Sequence, residues 1–113
     1  MNFDVTKDND VELFHLKDKH LDATNSPDVK TEFLILCQEE ISVFIIDLSE
    51  VEFCDSAGLG ALLLAERQMR EHGGGVMIID PIGKVRTLIE ISKLGEILPV
   101  YESIEQAKAD LVE

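Results

Sequence analysis

One hydroxyl group, that of Ser56, lies where the start of a helix could give it a chemical role. Residues 51–60 follow a strongly apolar run at residues 43–46 and precede a long helical pattern that begins near Ala57. Ser56 is therefore predicted at a helix N-terminus, where backbone N–H groups lack partners and the helix dipole is positive. A serine there can act as an N-cap, or it can carry a phosphate that the helix end tolerates.

Small residues near Ser56 indicate that another part of the protein, or another chain, approaches this helix closely. Gly58 and Gly60 each cost about 1 kcal/mol relative to alanine inside a helix. A lane at i, i+4 spacing joins Ser56, Gly60 and Leu64, with Leu63 beside it. The lane is apolar but lies off the main stripe of the helix, so it is predicted either to pack under a neighbouring helix or to form a docking surface.

Patterns for other chemistries are weak. No G-x-S-x-G motif surrounds Ser56, and the three histidines share no metal-binding spacing, so we predict neither an enzyme nor a metal site. Cys37 and Cys54 form no C-x-x-C pair and are expected to be buried thiols. Asp47, near the end of a buried strand, suggests a phospho-aspartate receiver domain as an alternative. That alternative needs more carboxylates and a late lysine, which the sequence after the last strand does not supply.

Composition restricts the partners that this chain can have. A length of 113 residues predicts one domain spanning residues 1–113. The net charge of −13 argues against nucleic-acid binding and suits a partner with a basic patch. The chain shows no signal-peptide pattern at its start and no apolar run of membrane-spanning length. We therefore expect a cytoplasmic protein that binds neither nucleic acid nor membrane.

Hydrophobic periodicity predicts an α/β fold in which strands and helices alternate after an initial strand pair. The expected domain is a single mixed, mostly parallel sheet of about five strands with about four helices. Strands are predicted near residues 3–5, 11–15, 41–48, 76–79 and 97–101, a polar loop at 18–25, and helices from residue 26, over 57–72, from residue 82 to about 95, and from about 103. Ser26 is predicted to cap the first helix, with Pro27 at its first position. Pro99 predicts that the last strand lies at a sheet edge.

The run from Asp55 to Gly60, preceded by Ile46-Asp47-Leu48 and Phe53, resembles the signature of STAS domains. Within them it is most similar to bacterial anti-sigma-factor antagonists, and the resemblance covers nearly the whole chain. It implies that Ser56 is the phosphoacceptor. Ala57 stands where the family commonly has a second hydroxyl. His20-Leu21-Asp22 keeps the Leu-Asp of the family's Gly-x-Leu-Asp pattern, with Lys19 in place of the glycine.

The resemblance also implies a regulatory role and a set of partners. The partner is an anti-sigma factor with serine-kinase activity, which phosphorylates Ser56 and is thereby released, and a metal-dependent serine phosphatase resets the switch. ATP and Mg²⁺ belong to the kinase, so this chain needs no cofactor. A STAS module that binds a partner without phosphorylation is the remaining alternative. The residues expected at the partner surface are Asp22, Thr24, Asn25, Asp55, Ala57, Gly58, Leu59, Gly60, Leu63 and Leu64.

Overall fold

The computed structural model describes residues 1–111, which form seven strands, four α-helices and one 3₁₀ turn. The strands are β1 Phe3–Asp8, β2 Val11–Leu16, β3 His20–Leu21, β4 Val43–Asp47, β5 Phe53–Cys54, β6 Gly75–Ile79 and β7 Val100–Tyr101. The helices are α1 Ser26–Leu36, α2 Ser56–Glu71, α3 Gly83–Ile91 and α4 Ile104–Leu111, with the 3₁₀ turn at Leu94–Glu96.

The main sheet has five strands in the order β1-β2-β4-β6-β7. β1 pairs with β2 antiparallel, and the other neighbours are parallel. The central strand β4 is buried at four of its five residues, as expected for a strand with helices on both faces of its sheet. The predicted α/β class, the mixed sheet of five strands and the four helices are confirmed. β7, which follows Pro99, lies at the edge of the sheet as predicted.

Alternate residues of β4 face two separate cores. Phe44 and Ile46 face the larger core beneath α1, α2 and α3, whereas Ile45 faces the smaller one beneath α4. This division follows from the two-residue period of a strand. In the larger core, the Phe33 ring lies edge-on to Phe14 and Phe44, with centroids 5.0 and 5.3 Å apart. The aromatic contacts fix α1 over the sheet, beside α2.

A second, two-stranded sheet is the main feature that the sequence did not predict. β3 and β5 pair in parallel, with His20 opposite Phe53 and Leu21 opposite Cys54. The prediction of a polar loop over residues 18–25 was therefore wrong at its centre, where β3 lies. A two-residue strand has no detectable periodicity and is defined only by a partner 33 positions away in the chain. The pair attaches this loop to the segment that precedes α2.

Two helix boundaries also differ from the predictions. α1 begins at Ser26, so Asn25 is the N-cap residue and Pro27 is the second helical residue. α3 ends at Ile91, and the 3₁₀ turn, rather than the same helix, occupies residues up to Glu96. Lys93, with φ of 56°, adopts a left-handed conformation that interrupts the helical path between them.

The buried carboxylate of Glu12 in β2 is expected to lower the free energy of unfolding. The Glu12 side chain points to the same side as Phe14 and Leu16, is only 6% exposed, and its Oε1 atom has no hydrogen-bond partner within residues 1–111. We expect Glu12→Leu to raise the free energy of unfolding at pH 7 by about 1–3 kcal/mol, the usual cost of an unsatisfied buried polar group. Chemical denaturation measures this, with the exposed Glu90→Leu as the control.

The effect of Glu12 should depend on pH with a defined sign. Burial raises the pKa of this carboxyl, and Lys7 lowers it to a lesser extent. Because the folded state holds the proton more tightly than the unfolded state, the stabilising contribution is present at low pH and is lost as the pH rises through the raised pKa. The advantage of Glu12→Leu over the wild type should thus grow from pH 4 to pH 7. A difference that stays constant over this range would contradict the assignment.

Candidate functional site

The N-terminus of α2 is capped by Asp55, and Ser56 is the first helical residue. The backbone of Asp55 is extended, and its Oδ1 atom accepts a hydrogen bond from the Gly58 N–H at 2.9 Å. The interpretation of Ser56 as the N-cap was therefore wrong, because a cap residue needs non-helical dihedral angles and Ser56 already lies in the helix. Ser56 is exposed, so its hydroxyl is accessible at the helix end.

The same carboxylate attaches the loop after β3 to this helix. Asp55 Oδ2 accepts a hydrogen bond from the Ala23 N–H at 3.2 Å, and the Asp55 N–H donates to the Leu21 carbonyl at 3.4 Å. The predicted site residues at 22–25 and 55–60, far apart in sequence, are thereby brought together. Asp55 holds two segments in place, in addition to any contact that it makes with a partner.

Gly58 lacks a side chain for a reason internal to the domain. A Cβ atom at this position would lie 2.0 Å from the Leu21 carbonyl oxygen and 2.9 Å from Cys54 Sγ. Gly58 is buried. The packing of β3 on this turn of α2 accounts for the missing side chain without a partner, and the place of Gly58 at a partner surface stays a prediction.

Asp22 and Thr24 form a compact polar group on the loop beside Ser56. Asp22 Oδ1 accepts hydrogen bonds from the Thr24 N–H at 3.0 Å and the Thr24 hydroxyl at 2.6 Å, and it lies 3.1 Å from His20 Nδ1. The hydrogen bond from Thr24, with a smaller contribution from His20, lowers the pKa of the Asp22 carboxyl. Asp22 therefore remains an anion near Ser56, and Thr24 is exposed next to it.

Asn25 lies inside this loop. It is 5% exposed, its amide donates to Asp18 Oδ2 at 3.0 Å and to the His20 carbonyl at 2.8 Å, and its oxygen accepts from the Asp22 N–H at 2.9 Å. The amide group is occupied by bonds that shape the turn. These bonds give Asn25 a structural role, and its contact with a partner stays a prediction.

The remaining predicted residues lie along the outer side of α2. Ala57 and Leu59 are half-buried. Gly60, Leu63 and Leu64 border an open groove of about 480 Å³. A Cβ atom on Gly60 would meet only the Lys30 Nζ atom, at 3.8 Å. The lane through Gly60 and Leu64 thus borders solvent, and the alternative that a neighbouring helix covers it is wrong.

Phe53 is a surface residue that the site prediction did not include. It is 45% exposed in β5, between the buried residue Val51 and the cap Asp55. Large aromatic side chains that are exposed beside a functional group are frequent anchors at protein interfaces. The sequence contained one signal: an aromatic residue directly before the Cys54-Asp55-Ser56 run. Its orientation depends on the pairing of β5 with β3, which the pattern did not reveal.

Other titratable groups have structural roles. Burial raises the pKa of Cys37 to about 12 and of Cys54 to about 11, which keeps both thiols protonated, and both side chains are buried as predicted. Asp47 is 8% exposed and accepts a hydrogen bond from the Ser49 N–H at 2.9 Å, so it shapes the turn after β4. Residues 1–111 contain no group of three His, Cys, Asp or Glu side chains placed to hold a metal ion, and none of their helices has the length and hydropathy to span a bilayer.

These features define a small α/β domain with an exposed serine at the start of α2. The loop after β3 is hydrogen-bonded to Asp55 at this helix end. The STAS domain profile matches residues 2–107, and the chain belongs to this family.

Two relatives of the chain are anti-sigma factor antagonists by name. The chain is 30% identical to the anti-sigma-B factor antagonist of Listeria monocytogenes over 71% of this chain and 70% of that protein. It is also 30% identical to the anti-sigma F factor antagonist of Paenibacillus polymyxa over 59% of this chain, a match that spans 57% of that protein.

The Bacillus protein SpoIIAA shares the fold. Its unphosphorylated form, an anti-sigma factor antagonist, superposes with a TM-score of 0.75 at 18% identity, over 98% of this chain and 97% of that one. Its phosphorylated form gives a TM-score of 0.76 at 19% identity, over 97% and 99% of the two chains.

Proposed function

We propose that this chain is an anti-sigma factor antagonist controlled by phosphorylation of Ser56. In the unmodified state it binds an anti-sigma factor that is itself a serine kinase, and so frees a sigma factor. The kinase, which supplies ATP and Mg²⁺, phosphorylates Ser56 and is released, and a metal-dependent serine phosphatase restores the unmodified form. Two relatives that bear this functional name support the proposal.

The observation that carries the proposal is the position of Ser56 at an accessible helix end. Asp55 already makes the capping bond, so the Ser56 hydroxyl is not needed to hold the helix. A hydroxyl that is exposed and has no structural task can be modified without loss of the fold. The surrounding surface, formed by Asp22, Thr24 and Phe53, is shaped by hydrogen bonds and strand pairing within the domain.

The Asp55 carboxylate sets the electrostatic consequence of phosphorylation. The Gly58 N–H is bonded to Asp55 Oδ1 and the Leu59 N–H to the Asp55 carbonyl. Those two donors of the helix end are thus already in use. A phosphate adds about −1.5 to −2 charges at pH 7, next to Asp55 and near the Asp22 anion. The modified site therefore becomes strongly negative while the fold stays unchanged.

Incubation with the cognate anti-sigma factor and ATP is expected to add a single phosphate, at Ser56. Intact-mass measurement gives the number of phosphates, and peptide mapping gives the site. Ser56→Ala is the negative control, and Thr24 and Ser103 are the hydroxyls to inspect for off-target modification. A phosphate on one of these residues in the wild type would overturn the assignment.

The same experiment separates the proposal from the alternative of a STAS module that binds without phosphorylation. Stable binding of the anti-sigma factor with no mass increase in the presence of ATP and Mg²⁺ would favour that alternative. The receiver-domain alternative would place the phosphate on the Asp47 carboxylate. That carboxylate is only 8% exposed and accepts a hydrogen bond from the Ser49 N–H, and the chain is a STAS domain, so both findings argue against this alternative.

A further inference from the structure

A groove across the outer side of α2 combines apolar and basic residues. Leu63 and Leu64 of α2 and Ile97, which precedes β7, form its apolar part, and Ile97 is 43% exposed. The groove has a volume of about 480 Å³. A depression of this size, lined by one exposed and two half-buried aliphatic side chains, is suited to receiving side chains from another protein.

The charges around the groove have the opposite sign to the charge of the protein as a whole. Lys30, Arg67 and Arg70, three of the ten basic residues in the chain, line it together with one acidic residue, Glu66, out of 23. Within residues 1–111, Arg70 alone of these three lies within 4.0 Å of a carboxylate, that of Glu66 at 3.7 Å. Lys30 and Arg67 are thus available to an external anion.

The groove begins one helical turn beyond Ser56. Gly60 lies on its border, and the Lys30 Nζ atom is 3.8 Å from the position of a Cβ on Gly60. Ser56 precedes Gly60 by four residues on the same face of α2, a separation of about 6 Å. Because Gly60 has no side chain, no side-chain atom of that residue lies between the Ser56 position and Lys30.

We propose that the groove receives an acidic, apolar segment of the anti-sigma factor, with Lys30 and Arg67 as its charge partners and Leu63, Leu64 and Ile97 as its apolar contacts. This inference rests on the proposed function and specifies the chemistry of the partner. A basic segment in the groove would be attracted by a phosphate on Ser56, so phosphorylation would tighten the complex. An acidic segment would be repelled by that phosphate. Phosphorylation would then weaken the complex, as release of the anti-sigma factor requires.

Charge reversal in the groove tests the proposal. The variant Lys30→Glu/Arg67→Glu is compared with Lys84→Glu/Lys108→Glu, which changes the net charge equally at exposed residues outside the groove. The probe is the purified anti-sigma factor of the source organism, titrated by calorimetry without ATP. We expect the groove variant to bind at least tenfold more weakly than the wild type and the control variant to bind within about twofold.

A cross-linking experiment then identifies the chemistry of the bound segment. A photoreactive benzoylphenylalanine in place of Arg67 should capture a partner peptide that is rich in Asp or Glu and in aliphatic residues. Capture of a basic peptide would overturn the proposal, as would equal affinities for the wild type and the groove variant. Failure of the wild-type chain to bind any anti-sigma factor of the source organism would instead overturn the proposed function, and this inference with it.

Discussion

Replacement of Gly58 by alanine should lower the free energy of unfolding by about 3 kcal/mol, whereas the same replacement at Gly60 should raise it by about 1 kcal/mol. At Gly58 the new methyl group would lie 2.0 Å from the Leu21 carbonyl oxygen. Backbone cannot rotate away as a flexible side chain can, so β3 or α2 must shift, and overpacking of this kind is costly. At Gly60 the methyl group meets only the end of Lys30, and the gain in helix propensity remains.

Denaturant unfolding of the two variants, side by side with the wild type, measures both changes. The pair is internally controlled, because the two glycines are two residues apart in one helix and the chemical change is identical. Equal shifts for the two variants would show that β3 does not pack on Gly58 as described. Gly58→Ala should also loosen the loop that carries Asp22, since that loop and α2 meet at this residue.

Phosphorylation of Ser56 is expected to weaken binding of the anti-sigma factor on the order of a hundredfold, or about 3 kcal/mol. Ser56→Asp should reproduce part of this loss, about tenfold, because it adds one negative charge beside Asp55. Ser56→Ala should bind like the unmodified wild type and should not respond to ATP. Its stability should change by less than about 0.5 kcal/mol, because Asp55 and not Ser56 caps the helix.

Calorimetric titration of the unmodified wild type, the phosphorylated wild type and the two variants with the anti-sigma factor measures these affinities. Thr87→Asp, which adds a negative charge on the exposed side of α3, is the matched control. It should leave the affinity unchanged within about twofold, and so separate a local effect at Ser56 from a general effect of net charge. Identical affinities for Ser56→Ala, Ser56→Asp and the unmodified wild type would remove Ser56 from the mechanism.

The architecture was predictable wherever a segment had a regular hydrophobic period. Residues 43–46 are apolar throughout and became the central strand, and the stripe of Leu62, Ala65 and Met69 became the buried face of α2. The errors lie where structure depends on distant partners. β3 and β5 have two residues each, so their pairing is determined by tertiary contacts and leaves no pattern in the sequence.

The site was predictable in its centre and less so in its details. Ser56 was placed correctly at a helix end, because the apolar run before it and the helical period after it are both strong. The functions of its neighbours were harder to assign. The surroundings of Gly58 and Asn25 depend on β3, which the sequence did not predict. The resemblance to a family does not show whether a glycine is needed for packing within the domain or for contact with a partner.

The rate at which the buried Cys54 thiol is chemically labelled would report motion of the segment beside Ser56. The Cys54 sulfur is close to Gly58, and burial keeps it protonated and unreactive in the closed structure. Fast alkylation of Cys54 is expected only when the elements packed on β5 move apart, whereas Cys37, at the end of α1, lies under different elements. The ratio of the two labelling rates would therefore report how often the segment beside Ser56 opens while the rest of the domain stays folded. The chain thus contains its own probe for whether a partner that binds at Ser56 would meet a rigid surface or a fluctuating one.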